Sequence, residues 1–260
     1  MNQWLESLAP QAVWRQFRVL CDIPRPSFHE KALRDYLFNW AQTLGLKPYI
    51  DTAGNLIIYK AATAGMEDRE TVVLQGHLDM VAQKESDSDH NFETDPIHTY
   101  EKEGWVHAKG TTLGADNGIG VAAILAVLES QEIAHGAIEA VFTIEEETSL
   151  RGAAQLEEGI LKGKRMLNLD SEDRGDVYIG CAGGIDINVS HRFASEVNHQ
   201  FDTAFKVTIS GLKGGHSGLD INKGLANANV LLVRLLNSLG AELDFGLSEL
   251  NGGTLRNAIS

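Results

Sequence analysis

The chain has 260 residues, which is long enough for one large domain or two smaller ones. Its 22 Lys and Arg residues are outnumbered by 36 Asp and Glu residues, giving a formal net charge of −14. This charge repels nucleic-acid phosphates and anionic lipid headgroups, so neither nucleic acid nor a membrane is expected as a partner. The most apolar helical run, IGVAAILAVL, is also too short to span a bilayer.

The two cysteines, Cys21 and Cys181, lie far apart in the sequence and form no CxxC pair. We interpret both as reduced, buried thiols. The first residues, MNQWLESLAPQAVW, lack the basic segment and apolar run of a signal peptide. These features predict a cytoplasmic protein.

Two helices are predicted before the first strand. The apolar residues of QAVWRQFRVL recur at helical spacing. The second helix is predicted to begin at SFHE, where Ser27 and Glu30 have the spacing of a capping box, and to end at Gly45.

Five apolar runs rich in β-branched residues then predict strands: GNLIIYK, TVVLQGHLDM, AIEAVFTI, RMLNLD and GDVYIG. A helical segment, GIGVAAILAVLES, lies between the second and third runs. This alternation predicts an α/β fold with a mixed, largely parallel sheet and flanking helices.

The pattern changes after Gly183 and Gly184. The runs IDINVSHRF and FKVTISG alternate as half-buried strands do, and NKGLANANVLLVRLLNSLG predicts an amphipathic helix. We therefore expect one domain over residues 1–182 and part of a smaller α+β domain over residues 183–260.

Acidic residues recur where the predicted strands of the first domain end. His77 and Asp79 close one run, Asp116 lies in a glycine-flanked turn before a helix, and Asp170 follows a further run. Ligands of open α/β sheets bind outside the carboxyl ends of the strands, so these side chains could converge. Such a cluster needs a compensating cation, and one imidazole with several carboxylates suits Zn²⁺, with Mn²⁺ or Co²⁺ as alternatives.

Individual roles follow from general metal-site chemistry. His77 could bind a metal through one ring nitrogen, while Asp79, on the same strand face, orients the ring or holds nearby backbone. Asp116 could bridge two ions, as carboxylates do in two-metal hydrolytic sites.

The sequence VFTIEEET ends another apolar run with three glutamates. Glu146 and Glu147 need a turn between them to share a site, after which one could bind a metal and the other act as general base. The alternative is that EEE is the solvated start of a loop or helix.

The glycine-rich loop LKGGHSGLD presents His216, which could donate a hydrogen bond to a developing oxyanion. A loop without function is the alternative. No GxSxG motif, Cys/His pair or P-loop is evident, so covalent hydrolysis and nucleotide chemistry have little support.

The ordered motifs GHLDMV, LGADNG, IEEET, NLDSED and GLKGGHSG resemble those of the co-catalytic zinc metallopeptidases that include the carnosinases and carboxypeptidase G. The similarity is greatest to the bacterial aminoacyl-histidine dipeptidases within that family, and it extends over the whole chain. It implies a zinc-peptidase catalytic domain with two zinc ions per active site, followed by part of a lid domain.

The resemblance also implies residue roles. His77 and Asp170 correspond to ligands of one zinc, Glu147 to a ligand of the other, and Asp116 to the bridging ligand. The remaining motif positions imply that Asp79 orients His77, that Glu146 is the general base, that Glu145 is not a ligand, and that His216 and Asn257 contact the substrate.

The resemblance implies hydrolysis of dipeptides, in particular Xaa-His dipeptides, because an Asp at the position of Asp170 accompanies dipeptidase or aminopeptidase activity in this family. It also implies a small peptide as substrate and a possible homodimer. Because family members are longer and supply a further metal-binding histidine near their C-terminus, we expect this chain to be an N-terminal fragment. The alternatives are a related tripeptidase or deacylase, or a truncated, inactive protein that binds metal or peptide.

Overall fold

The computed structural model of the protein describes residues 2–171, 173, 175–180, 187–194, 196–197, 200–218, 220–253 and 258–259. The chain divides into two compact units, Met1–Ala182 and Gly183–Ser260. Cys21 is buried as a free thiol, whereas Cys181 lies outside the described residues.

The first unit begins with a 3-10 helix at Gln3–Ser7. Its helices and strands then follow in the chain order α1 (Gln11–Asp22), α2 (Lys31–Thr43), β1 (Lys47–Ile50), β2 (Leu56–Lys60), β3 (Val72–His77), β4 (Thr99–Lys102), β5 (Trp105–Ala108), α3 (Ala115–Glu129), β6 (Ile138–Thr143), α4 (Arg151–Ala154) and β7 (Arg165–Asn168).

A five-stranded sheet with the order β1-β2-β6-β3-β7 forms the centre of this unit. Strands β6, β3 and β7 are parallel to one another, whereas β2 is antiparallel to both β1 and β6. Strands β4 and β5 form a separate antiparallel hairpin. The predicted α/β fold with a mixed sheet is confirmed, and its parallel part is the half that carries the predicted site residues.

The two faces of the sheet are buried differently. Leu56 and Ile58 of β2 pack into the main core together with the apolar faces of α1, α2 and α3. Ile57, between them, points to the other face and packs with Val73 and Val141. This alternation follows from the period of two along a strand.

The two predicted N-terminal helices are present, but the predicted capping box is wrong. Helix α2 begins at Lys31, and no side chain caps its N-terminus. The Ser27 hydroxyl donates to Asp79 Oδ2 at 2.7 Å instead, and Glu30 Oε1 accepts from the backbone N–H groups of Phe28 and Glu145. Both side chains therefore connect this segment to loops that are distant in the sequence.

The predicted strand GDVYIG, residues 175–180, is also wrong, because these residues have no strand pairing in the described part of the chain. Its apolar side chains are exposed, among them Val177 and Ile179. Composition reports strand propensity, but a strand forms only with a hydrogen-bonded neighbour.

The second unit contains strand β8 (Gly215–His216), a 3-10 helix (Ile221–Lys223), helix α5 (Ala228–Leu239) and strand β9 (Ala258–Ile259), and β8 pairs with β9. The predicted helix is confirmed, and the Asn227 side chain caps it by accepting from the Val230 N–H group. The predicted strands are not found in the described residues 187–193 and 205–211, for the same reason as in the first unit. Across the described residues, no helix is both long enough and apolar enough to cross a membrane.

Helix α3 offers a matched test of the core. Ile124 is 1% exposed and Ile119, in the same helix, is 39% exposed. We expect Ile124→Ala to lower the free energy of unfolding by about 2–5 kcal/mol, because it leaves a cavity, and Ile119→Ala to lower it by less than about 1 kcal/mol. Urea denaturation followed by circular dichroism measures both, and equal losses would contradict this packing.

Candidate metal centre

The parallel strands bring distant segments to one edge of the sheet. His77, the last residue of β3, pairs with Thr143 at the end of β6. On the other side of β3, Gln75 pairs with Asn168, the last residue of β7. The segments that follow β6 and β7 therefore lie on either side of the His77 side chain.

The His77 ring is 1% exposed and faces several carboxylates through its Nε2 atom. Nε2 lies 3.1 Å from Asp116 Oδ1, 3.4 Å from Asp170 Oδ1 and 3.9 Å from Glu146 Oε2. One ligand atom each from His77, Asp116 and Asp170 lies within 4.8 Å of the others, and the same holds for His77, Glu146 and Glu147. We call these five residues the acid cluster.

Asp79 lies beneath the acid cluster and is completely buried. Its Oδ1 is 3.3 Å from His77 Nδ1 and accepts from the Glu146 N–H group at 3.0 Å. Its Oδ2 accepts from the Ser27 hydroxyl and, at 3.1 Å, from the Glu147 N–H group. Asp79 thus connects the end of β3 to the loop that carries both glutamates.

Asp116 and Asn117 lie at the start of α3 with non-helical backbone angles. Asn117 is buried, and its Nδ2 donates to Asp170 Oδ1 at 2.8 Å and to the Leu169 carbonyl at 2.6 Å. A Cβ atom at Gly120 would collide with the Asn117 amide, so that glycine makes room for it. Asn117 therefore fixes Asp170 next to Asp116.

Crowded negative charge shifts the pKa values of the site. Burial alone would lower the pKa of the His77 imidazole, but hydrogen bonds to Asp116, Asp170 and Asp79 outweigh it and raise the pKa to about 12. Burial, with the charge of Asp116, raises the pKa of Glu147 to about 7. The pKa of Asp170 is lowered, because the hydrogen bond and charge of His77 overcome the opposing effect of burial.

Carboxylates crowded around one imidazole favour positive charge at the centre of the acid cluster. The donor set is one imidazole nitrogen and four carboxylates, which are ligands suited to Zn²⁺, Mn²⁺ or Co²⁺. The side chains present therefore fit a divalent cation, and such an ion would replace the proton on His77.

The three consecutive glutamates separate into two environments. Glu145 is buried away from the acid cluster, where it pairs with Arg151 and accepts from the Ser149 hydroxyl. Glu145 has a φ of 55°, and this turn lets Glu146 and Glu147 both approach His77. The alternative of a purely solvated EEE loop does not describe this geometry.

The two predicted substrate contacts stay predictions. His216 is exposed in the second unit, where its Nδ1 accepts from the Gly218 N–H group at 3.0 Å. Asn257 lies outside the described residues.

Sequence reasoning missed three residues that support the cluster, namely Arg25, Ser27 and Asn117. Asn117 follows Asp116 directly in the LGADNG motif, so its position in the sequence could have indicated that it lies at the site. Ser27 was assigned to a helix cap. Arg25, in the sequence IPRPS, belongs to no recognised pattern.

An α/β sheet that gathers imidazole and carboxylate groups at its carboxyl edge is an arrangement typical of metal-dependent hydrolases. The model of peptidase family M20/M25/M40 matches residues 73–228, a stretch that includes the whole acid cluster. The chain belongs to this family.

Two relatives are similar over nearly the whole chain. The cytosol non-specific dipeptidase of Escherichia coli K12 is 50% identical over 98% of this chain and 53% of its own length. The structure of aminoacylhistidine dipeptidase from Vibrio alginolyticus is 47% identical, with a TM-score of 0.69, and covers 100% of this chain and 54% of its own. A tripeptidase from Staphylococcus aureus, 19% identical with a TM-score of 0.53 over 96% of this chain and 63% of its own, shares the fold. This chain spans about half the length of the two dipeptidases.

The raised pKa of His77 makes the stability of the metal-free protein depend on pH. Between the usual pKa of 6.5 and about 12, the folded chain keeps a proton that the unfolded chain has lost. This contribution is complete below pH 6.5 and is lost as the pH rises toward 12, by at most about 1.4 kcal/mol per pH unit. We therefore expect the free energy of unfolding in EDTA to fall from about pH 7 to about pH 9.

Urea denaturation in EDTA measures this fall, and His77→Gln is the control because it removes the titrating ring. The variant should show a shallower pH dependence than the parent chain. Parallel curves for the two proteins would contradict the assignment of the proton to His77.

Proposed function

We propose that the first unit is the metal-binding catalytic part of a dipeptidase and that the second unit is part of its lid domain. The observation that carries this proposal is the acid cluster, in which the carboxylates of Asp116, Glu146, Glu147 and Asp170 lie around the His77 imidazole. The names of the two similar dipeptidases support the substrate class.

Zinc is the proposed metal, with two ions per active site. The proposed ligands are His77 and Asp170 for one ion and Glu147 for the other, with Asp116 as the bridge. In support, Asp116 and Asp170 lie closest to His77 Nε2. Asp79 is proposed to orient the ring from its Nδ1 side, where the two atoms are 3.3 Å apart.

When bound, the metal ions would polarise the scissile carbonyl and acidify the attacking water. Glu146 is the proposed general base, which takes the proton of that water and passes it to the leaving amine as the peptide C–N bond breaks. Two features support this role. Burial raises the pKa of Glu146, and at 3.9 Å its carboxylate is farther from His77 Nε2 than those of Asp116 and Asp170.

The proposed substrates are dipeptides of the Xaa-His type, with His216 and Asn257 as contacts to the substrate. A cytoplasmic location is proposed because the Escherichia coli relative is named a cytosol dipeptidase. A homodimer is proposed from the family resemblance alone.

The substrate proposal is tested with a panel of Xaa-His dipeptides, other dipeptides, tripeptides and N-acylated amino acids in the presence of zinc. The panel is run on this chain and on a chimera that continues beyond residue 260 with the remaining sequence of the Escherichia coli relative. Zinc-dependent cleavage that is fastest for Xaa-His dipeptides is the expected result. Faster cleavage of tripeptides or acylated amino acids would show that the proposed substrate class is wrong. A chimera inactive on the whole panel would overturn the catalytic proposal.

Substitutions separate metal binding from proton transfer. We expect Glu146→Gln to keep the zinc content of the chain while lowering turnover by the chimera roughly 100-fold to 10,000-fold, because only the proton acceptor is lost. His77→Ala should lower the zinc content itself. Elemental analysis and a dipeptide assay measure the two effects.

Glu158→Gln, at an exposed position, is the matched control and should change neither quantity. Loss of zinc in Glu146→Gln, with zinc retained in Glu147→Gln, would reverse the proposed roles of the two glutamates.

A further inference from the structure

Among the residues that the structure describes, Arg25 is the largest fully buried side chain. It lies in the segment between α1 and α2, and it is 2% exposed. A buried guanidinium is costly unless its donors are satisfied, and in most proteins a carboxylate satisfies them. No carboxylate lies within ion-pair distance of Arg25 among the described residues, although several lie nearby.

Backbone carbonyls take the place of that carboxylate. Arg25 Nε donates to Leu20 at 3.2 Å, and one terminal nitrogen donates to Leu78 at 3.0 Å and to Asp79 at 2.9 Å. The other terminal nitrogen donates to the Gly114 carbonyl. One side chain thus connects the end of α1, the segment after β3 and the turn that precedes Asp116.

The Asp79 carbonyl oxygen has a second neighbour. His77 Nδ1 lies 3.2 Å from this oxygen, which also accepts from Arg25. An imidazole that binds a metal through Nε2 is oriented by the partner of its Nδ1–H group. Nδ1 lies near two oxygens of Asp79, the carboxylate Oδ1 at 3.3 Å and this carbonyl oxygen, and Arg25 donates to the second of them.

Glycines line the space that this guanidinium occupies. A Cβ atom at Gly114 would lie 2.7 Å from a terminal nitrogen of Arg25, and one at Gly118 would lie 2.6 Å from it. Gly114 and Gly118 flank Asp116 in the sequence, so the turn that carries this acid is fitted closely around Arg25.

Resting on the proposed metal-dependent function, we propose that Arg25 is a positioning residue that arranges the His77 ring and the Asp116 turn for metal binding. It acts through the carbonyls of Asp79 and Gly114, and within the described residues it donates no hydrogen bond to a proposed ligand side chain. Its positive charge also lies close to Asp79, Asp116 and Glu147, which partly offsets their mutual repulsion.

Cobalt titration of the 260-residue chain tests this role, because the visible spectrum of Co²⁺ reports both affinity and ligand geometry. Arg25→Met should weaken Co²⁺ binding roughly 10-fold to 100-fold, as loss of a group that orients a ligand does. Arg25→Lys should weaken it similarly and alter the spectrum, since one ammonium keeps the charge but cannot reach three backbone segments at once.

Lys60→Met is the matched control for the loss of a buried cation. Within the described residues, Lys60 Nζ likewise donates only to carbonyls, those of Val127 and Ser130, near the opposite end of α3 from Asp116. This variant should lower the melting temperature but bind Co²⁺ within twofold of the parent chain. If Lys60→Met lost as much Co²⁺ affinity as Arg25→Met, the loss would be explained by lower stability of the fold, and the proposal would be overturned.

The imidazole signals of His77, assigned with His77→Gln, provide a readout that needs no metal. We expect a slowly exchanging Nδ1–H proton in the parent chain and rapid exchange in Arg25→Lys. Parent-like affinity, spectrum and exchange in Arg25→Lys would overturn the proposal. A parent chain that binds no cobalt would count against the proposed metal site, and the exchange measurement would then still decide the role of Arg25.

Discussion

The buried carboxylate of Asp79 joins the parts of the site that the chain has to bring together. Its two oxygens meet the His77 ring, the Ser27 hydroxyl and the backbone N–H groups of Glu146 and Glu147. Burial would raise the pKa of Asp79. The hydrogen bonds from His77 and Ser27, together with the charge of His77, lower it instead, so the group stays ionised. A neutral carboxyl would lose an acceptor, and the loop carrying both glutamates would lose its attachment to β3.

The parallel half of the sheet determines which acids can meet Asp79. Because β3 lies between β6 and β7 and is parallel to both, the segments that follow all three strands lie at the same edge. Helix α3 adds Asp116 through the connection that leads from β3 to β6. The antiparallel strands β1 and β2 extend the sheet on the side away from β7, so they enlarge the core without supplying an acid.

The convergence of His77, Asp116 and Asp170 was predictable from sequence, because it follows from strand polarity and from the position of each acid relative to an apolar run. The predicted strands at residues 185–193 and 205–211 depended on pairing partners that a local pattern does not specify. The capping box failed for a related reason. Ser27 has the composition of a helix cap, but the carboxylate that it contacts is distant in the sequence. In the described part of the chain, Arg25 donates its hydrogen bonds to backbone carbonyls and to no side chain, so no pattern of side-chain types could reveal it.

The acid cluster and Asp79 gather more negative charge than the neighbouring side chains balance. Five carboxylates, those of Asp79, Asp116, Glu146, Glu147 and Asp170, lie around a single imidazole, and Arg25 is the buried cation beside them. In the metal-free chain a proton on His77 relieves part of the excess, which is why the pKa of the ring rises to about 12. One divalent ion with a neutral ring would still leave a net negative charge, whereas two divalent ions together with the guanidinium would neutralise the five acids. The number of carboxylates gathered here thus favours a two-metal site over a single-metal one, and it makes the guanidinium part of the same balance.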